Sequence, residues 1–110
     1  MNAFEIWMWQ PPGLTEPRPA VIVSHPPRAN RKDFVEVIIC STQRAGRKAQ
    51  AHEVLLDEAD GFDWPTFCKC DLIYAAPRTV LITQKGNVTE LRRGQLVQTM
   101  IAAQGWAAVL

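Results

Sequence analysis

No stretch of the chain is apolar for anything near the roughly 20 residues a bilayer-spanning helix needs, so a membrane span is excluded. Met1–Trp9 lacks a basic start followed by a long apolar core and does not read as a secretory signal. Charge of one sign is not in surplus either: 12 Lys and Arg stand against 11 Asp and Glu, a net charge of +1. That excludes a uniformly basic nucleic-acid coat, and any nucleic-acid site must come from local clustering. Internal repeats and low-complexity tracts are absent. Cysteine is sparse and odd in number, at three. This argues against a disulfide framework and for reduced thiols in a cytoplasm. A second paired-ligand motif is missing, which leaves zinc on Cys68, Cys70 and His52 or His25 as an outlying alternative. No resident metal or cofactor is expected.

What is present fits one globular domain spanning residues 1–110, with 47% hydrophobic and 21% charged residues. Short apolar runs are punctuated by Pro, Gly and charge. Phe4–Trp9 has a strand's length and aromatic content. Gln10–Pro19 holds four prolines and a glycine and reads as a loop. Ala20–Ser24 is a buried central strand, and His25–Asp33 a loop carrying Arg28, Arg31 and Lys32. Phe34–Ser41 is the clearest strand. Thr42–Ala51 is a basic loop, His52–Leu56 a strand, and Asp57–Pro65 an acidic turn. In a strand over Thr66–Ala75, alternation puts Cys68, Cys70, Leu72 and Tyr74 on a core face. Phe67, Lys69, Asp71 and Ile73 then share the other. Arg78–Thr83 reads as a further strand and Lys85-Gly86-Asn87 as a turn. Thr89 is a candidate N-cap. Leu96, Val97, Met100, Ile101 and Ala103 form an amphipathic helical stripe that Gly105 stops. The fold expected is a mainly β, SH3-like small barrel of five to six strands with a C-terminal amphipathic helix.

Several segments resemble, in order, those of the PemK/MazF-like toxins of type II toxin–antitoxin pairs. Phe4-Glu5-Ile6-Trp7 resembles the opening strand of that family, and Arg18-Pro19-Ala20-Val21-Ile22-Val23-Ser24 its Arg-Pro-apolar-hydroxyl segment. Cys40-Ser41-Thr42-Gln43 resembles its hydroxyl-bearing strand end, Lys69-Cys70-Asp71 its basic-Cys-Asp motif, and Gly86-Asn87-Val88-Thr89 the approach to its helix. The likeness runs from about residue 4 to 105. It departs where the Arg18 loop is short, where Ser41 replaces Thr, and where Leu72 follows Asp71 in place of a common Gln.

The resemblance implies a homodimeric endoribonuclease that cuts single-stranded RNA without metal and is neutralised by a cognate antitoxin. It places Arg18, Ser41, Lys69 and Asp71 in the catalytic site. Those residue types suit attack of a 2′-hydroxyl on the adjacent phosphate. Such a reaction needs a base, here Asp71, a proton donor or phosphate cation, here Lys69, and a bidentate phosphate grip, here Arg18. Ser41 would hydrogen-bond a phosphate oxygen. Thr42, Gln43, Arg44, Arg47 and Lys48 would track the RNA backbone. Each residue also has an ordinary reading: Lys69 and Asp71 as a solvated surface pair, Arg18 as a loop charge, Ser41 and Thr42 as turn-formers. His25 and His52 match no catalytic position of the family. Trp7, Trp9, Trp64 and Trp106 read as core or dimer packing rather than base-stacking platforms. Three other functions remain open: a gyrase-poisoning toxin of the same fold relying on Trp106, a non-catalytic SH3-like binding module, and a decayed toxin still bound by an antitoxin.

Overall fold

The computed structural model describes residues 1–42 and 46–110. Seven strands form among the described residues: β1 (Glu5–Trp9), β2 (Arg18–Ile22), β3 (Phe34–Thr42), β4 (Glu53–Leu56), β5 (Thr66–Lys69), β6 (Tyr74–Pro77) and β7 (Gln84–Asn87). A one-turn helix α1 (Pro26–Ala29) follows β2, and the long helix α2 (Glu90–Ala103) follows β7. The strands pair antiparallel in the order β4-β5-β3-β2-β1-β7, with β6 also on β3. The result is a curled, half-barrel sheet with a C-terminal helix, the mainly β plan expected from the sequence.

β3 organises the sheet because both of its faces are buried. Ile38 and Cys40 join one core with Ile6, Val21, Val54, Leu56, Phe62, Cys68, Cys70, Val88, Leu96 and Met100. Val35 and Val37 point the other way, with Trp9, Ala20, Ile22, Ala29, Ala76 and Leu81. A strand buried on both sides reads as a continuous apolar run rather than an alternating one, which is why Val37–Cys40 and Ala20–Ile22 carry no polar break. Helix α2 closes the first core through the buried Leu96 and Met100 of its stripe; Val97 is left exposed. Burying a Leu or Met side chain of this kind stabilises by about 1.5–3 kcal/mol.

The helix starts where the sequence places it, but by another device. Thr89 is the N-cap, yet its own hydroxyl caps nothing. Instead the buried Asp60 carboxylate accepts from the Thr89 N–H at 2.9 Å and from the Asp57 N–H at 3.0 Å. Arg92, one turn into α2, donates to Asp60 and grips Asp57 at 2.6 and 2.8 Å. Asp57 and Asp60 thereby anchor the positive end of α2. Gly105, in the left-handed region at φ 75°, follows the Gln104 C-cap and ends the helix as expected.

Four expectations need correction. Thr66–Ala75 is not one strand. β5 and β6 both pair with β3, Cys68 opposite Cys40 and Tyr74 opposite Val37, so six steps of chain face only three. The excess loops out over Cys70–Ile73, exposing Leu72 while Phe67 stays buried. Arg78–Thr83 has strand-forming residues but follows Pro77 with a single 3-10 turn, Arg78–Val80, and leaves Ile82 exposed. Lys85-Gly86-Asn87 is not a turn but part of edge strand β7, Gly86 facing Ile6. A Cβ on Gly86 would lie 2.2 Å from the Asp60 carbonyl oxygen, so that glycine serves a close backbone crossing. The His25–Asp33 loop contains α1, whose Pro26 and Pro27 open it as prolines readily do in a first turn.

Candidate active site

The β2–β3 ladder is paired from Ile22↔Val37 to Ala20↔Ile39. Beyond that end lies a cleft of ≈ 320 Å³ lined by Arg18, Ser41 and Thr42, with Trp64 and Lys85 reaching in from other elements. A second cleft of ≈ 370 Å³ is lined by Lys69, Asp71, Ile39 and Tyr74, and again by Arg18. Arg18 is the one catalytic candidate common to both. The four catalytic candidates, as far apart in sequence as 18 and 71, thus line two clefts that share Arg18, Ser41 in the first and Lys69 and Asp71 in the second.

The local structure explains how each is held. Arg18 opens β2 opposite Trp9 and sits between Pro17 and Pro19, which stiffen its backbone. Its side chain is half-buried, and among the described residues no hydrogen bond or ion pair engages it. The contrast with other arginines is direct. Arg28 pairs with Glu36, Arg78 donates to the Asn30 carbonyl at 2.7 Å, and Arg92 holds two carboxylates. Ser41 is near the end of β3, facing Phe67 across the ladder. Lys69 closes β5 opposite Glu53, and its side chain is exposed. Asp71 is the second residue of the looped-out segment and is exposed. Its neighbour Cys70 is fixed at both backbone groups: the N–H donates to the His52 carbonyl at 2.8 Å, and the carbonyl accepts from Gln104 Nε2 at 3.2 Å. Lys69 and Asp71 form no ion pair with each other, so neither is occupied as a mutual surface pair.

The residues expected to track RNA divide. Thr42 is exposed on the first cleft, where its hydroxyl accepts from Trp64 Nε1 at 3.3 Å. Gln43 and Arg44 lie outside the described residues. Lys48 is exposed. Arg47 is committed to the fold: it binds both oxygens of the buried Glu53 at 2.7 and 2.9 Å and lies over the Phe67 ring at 4.1 Å. That grip, strengthened by the Gln50 N–H, holds the Glu53 carboxyl down at about 2.

Cys40, Cys68 and Cys70 are free and buried in the first core, where burial pushes the Cys68 thiol well up. No group of three His, Cys, Asp or Glu side chains among the described residues is arranged to hold a metal, so Cys68 and Cys70 do not draw in His25 or His52 as the zinc alternative needs. Neither histidine lines either cleft.

A protein-family model described as the PemK-like, MazF-like toxin of type II toxin–antitoxin systems matches residues 2–103. The chain belongs to this family. Among solved structures, this PemK/MazF-like chain is similar to the Mycobacterium tuberculosis toxin MazF-mt6, with a TM-score of 0.77 and 23% identity over 90% of this chain and 94% of that one. An endoribonuclease in complex with its cognate antitoxin, from a mycobacterial species, matches at a TM-score of 0.82 and 18% identity over 96% and 95% of the two chains. A mycobacterial endoribonuclease matches at 0.79 and 17% over 96% and 91%. At such identities these neighbours establish the fold. No curated protein sequence matches.

Two residues at the clefts of this family member escaped the sequence reading. Lys85 was assigned to a turn, yet it lines the first cleft and pairs with Asp63 at 3.4 Å. Trp64, read as core or dimer packing, is not in the core: it is 55% exposed at the same cleft. Trp106 is exposed too, whereas Trp9 is buried as expected. Nothing local marks Lys85, because only the β1–β7 pairing brings it there. For Trp64 a signal existed: an aromatic between Asp63 and Pro65, in a turn with no apolar periodicity.

No helix among the described residues is long and apolar enough to cross a membrane.

Proposed function

We propose that this toxin is a metal-independent endoribonuclease of single-stranded RNA. The observation that carries the reading is the half-buried, unengaged guanidinium of Arg18, placed where one cleft supplies Ser41 and the other Lys69 and Asp71. A guanidinium held this way is short of an anion, and a phosphate satisfies it through two parallel hydrogen bonds.

The chemistry then runs on the RNA's own nucleophile. The Asp71 carboxylate takes the proton of the 2′-hydroxyl, and the 2′-oxygen bonds to the adjacent phosphorus. Arg18 and the Ser41 hydroxyl stabilise the extra negative charge on the phosphate oxygens. The bond from phosphorus to the 5′-oxygen breaks, and that oxygen leaves with a proton from Lys69. The products are a 2′,3′-cyclic phosphate and a 5′-hydroxyl. Thr42, on the first cleft, and the exposed Lys48 are the described residues offered to the RNA backbone. A cognate antitoxin, of the kind one neighbour was solved with, would cover the same cations with a flexible acidic segment. A homodimer in the cytoplasm completes this reading.

The gyrase-poison alternative retains one observation, the exposed Trp106 beyond α2. It gives Arg18, Ser41, Lys69 and Asp71 no joint purpose. Incubating a long single-stranded RNA with the protein in EDTA tests the choice. The proposal expects discrete fragments ending in 2′,3′-cyclic phosphate. Intact RNA together with arrested gyrase complexes would reverse it.

A further inference from the structure

Trp64 is an aromatic side chain held still with much of its ring in solvent. Its indole N–H donates to the Thr42 hydroxyl at 3.3 Å, and its carbonyl oxygen accepts from the Thr66 hydroxyl at 3.0 Å. Pro65 restricts its backbone from the other side. The side chain is nonetheless 55% exposed, on the wall of the cleft that Arg18, Ser41 and Lys85 also line. A Trp kept for the core of its own chain would be covered, as Trp9 is against Tyr74 at 6.0 Å, whereas Trp64 faces the cleft that Arg18 lines. A flat ring, oriented in advance and set beside an unengaged guanidinium, is the combination that single-stranded nucleic acid requires. Cations take the backbone and an aromatic takes a base.

We infer that Trp64 is a base-stacking platform, so that a nucleobase of single-stranded RNA lies on its indole while the neighbouring phosphate meets Arg18. The inference rests on the ribonuclease reading of the site and adds to it a residue that positions substrate rather than reacting. Stacking accepts any base, since every base has a π face. Trp64 therefore supplies affinity and alignment in the first cleft. The Thr42 hydroxyl, expected from sequence to touch RNA, acts in part by aiming this ring.

The test is binding of a fluorescent pool of mixed-sequence, 2′-O-methylated RNA oligonucleotides, which cannot be cut by 2′-hydroxyl attack, followed by anisotropy. Trp64→Ala is expected to weaken binding roughly tenfold or more. Trp64→Phe, which keeps a flat ring, should stay within about threefold of wild type. Trp64→Leu, which keeps apolar bulk without a π face, should fall with Trp64→Ala. The slope of log affinity against log salt should be unchanged in the Trp64 variants, while Arg18→Ala should shallow it by about 0.7, the loss of one phosphate contact. If Trp64→Leu binds as Trp64→Phe does, or if Trp64→Ala is indistinguishable from wild type while Arg18→Ala is weak, stacking is refuted and the ribonuclease reading stands. If the folded wild type binds no RNA at all, both fall together.

Discussion

Arg47 grips Glu53 with both terminal guanidinium nitrogens, Nη1 to Oε1 at 2.7 Å and Nη2 to Oε2 at 2.9 Å, with the Glu53 side chain almost fully buried. The contact ties the segment before β4 to the edge of the sheet, and the Phe67 ring beneath the guanidinium shields it from water on one face. Arg47 is thereby a structural residue before it is anything else. Arg47→Ala should lower the melting temperature, because it leaves the buried Glu53 carboxylate without its cation. Thermal melts check this. An unchanged melting temperature would show that the pair contributes nothing.

Acid should weaken the fold through two carboxylates. Glu53 and Asp57 are both held at about 2, the first by Arg47 and the second by Arg92 and the Ala59 N–H. Their folded values lie below the unfolded ones, near 4. Such groups give stability that is fully present above the unfolded value and is lost as pH falls through the folded value. The melting temperature should therefore decline between about pH 5 and pH 2. In Glu53→Gln the decline should be shallower, because one of the titrating groups is gone. An equally steep profile in that variant would assign the acid sensitivity elsewhere.

Two glycines should respond in opposite directions to the same substitution. Gly86→Ala puts a methyl 2.2 Å from the Asp60 carbonyl oxygen and 3.0 Å from the Gly61 Cα, so the crossing of β7 over the Asp60 turn must open. Because Asp60 also anchors α2 through Thr89 and Arg92, the damage should spread to the helix. Gly94 lies within α2, and a methyl there meets nothing within 4 Å. Gly94→Ala should stabilise by about 1 kcal/mol, the difference in helix propensity. Paired denaturation curves decide it, and two shifts of the same sign would contradict the packing described.

Arg18→Ala should leave stability within about 0.5 kcal/mol of wild type, as for other substitutions that break no contact. RNA cleavage by the same variant should drop by about 10²–10³, the usual loss when a donor to a transition-state oxyanion is removed. Arg18→Lys should recover only part of it, since an ammonium cannot make the two parallel bonds. Loss of activity accompanied by loss of fold would recast Arg18 as structural.

The sequence reading succeeded where burial is repetitive and failed where distant segments meet. Phe34–Ser41 was legible because both faces of β3 are covered, and α2 because Leu96 and Met100 repeat at helical spacing between Thr89 and Gly105. Gln84–Asn87 was misread because an edge strand with exposed ends has little apolar pattern, and its glycine answers to Asp60 rather than to a turn. The break at Cys70–Ile73 follows from mismatched registers on β3, which no local pattern records. The candidate site residues Arg18, Ser41, Lys69 and Asp71 are named in the sequence only by an ordered set of weak motifs. Which clefts they line depends on strand pairing, as does the arrival of Lys85. Trp64 was visible in sequence, but its exposure was not.

The central claim is that Arg18 and Asp71 serve one phosphate. It is tested most directly by incubating long single-stranded RNA, in EDTA, with wild type, Arg18→Ala and Asp71→Asn, each shown to be folded. The account predicts discrete fragments with 2′,3′-cyclic phosphate ends from wild type and a loss of at least about 10²-fold in both variants. Cleavage undiminished in either variant, or none by the folded wild type, would contradict it.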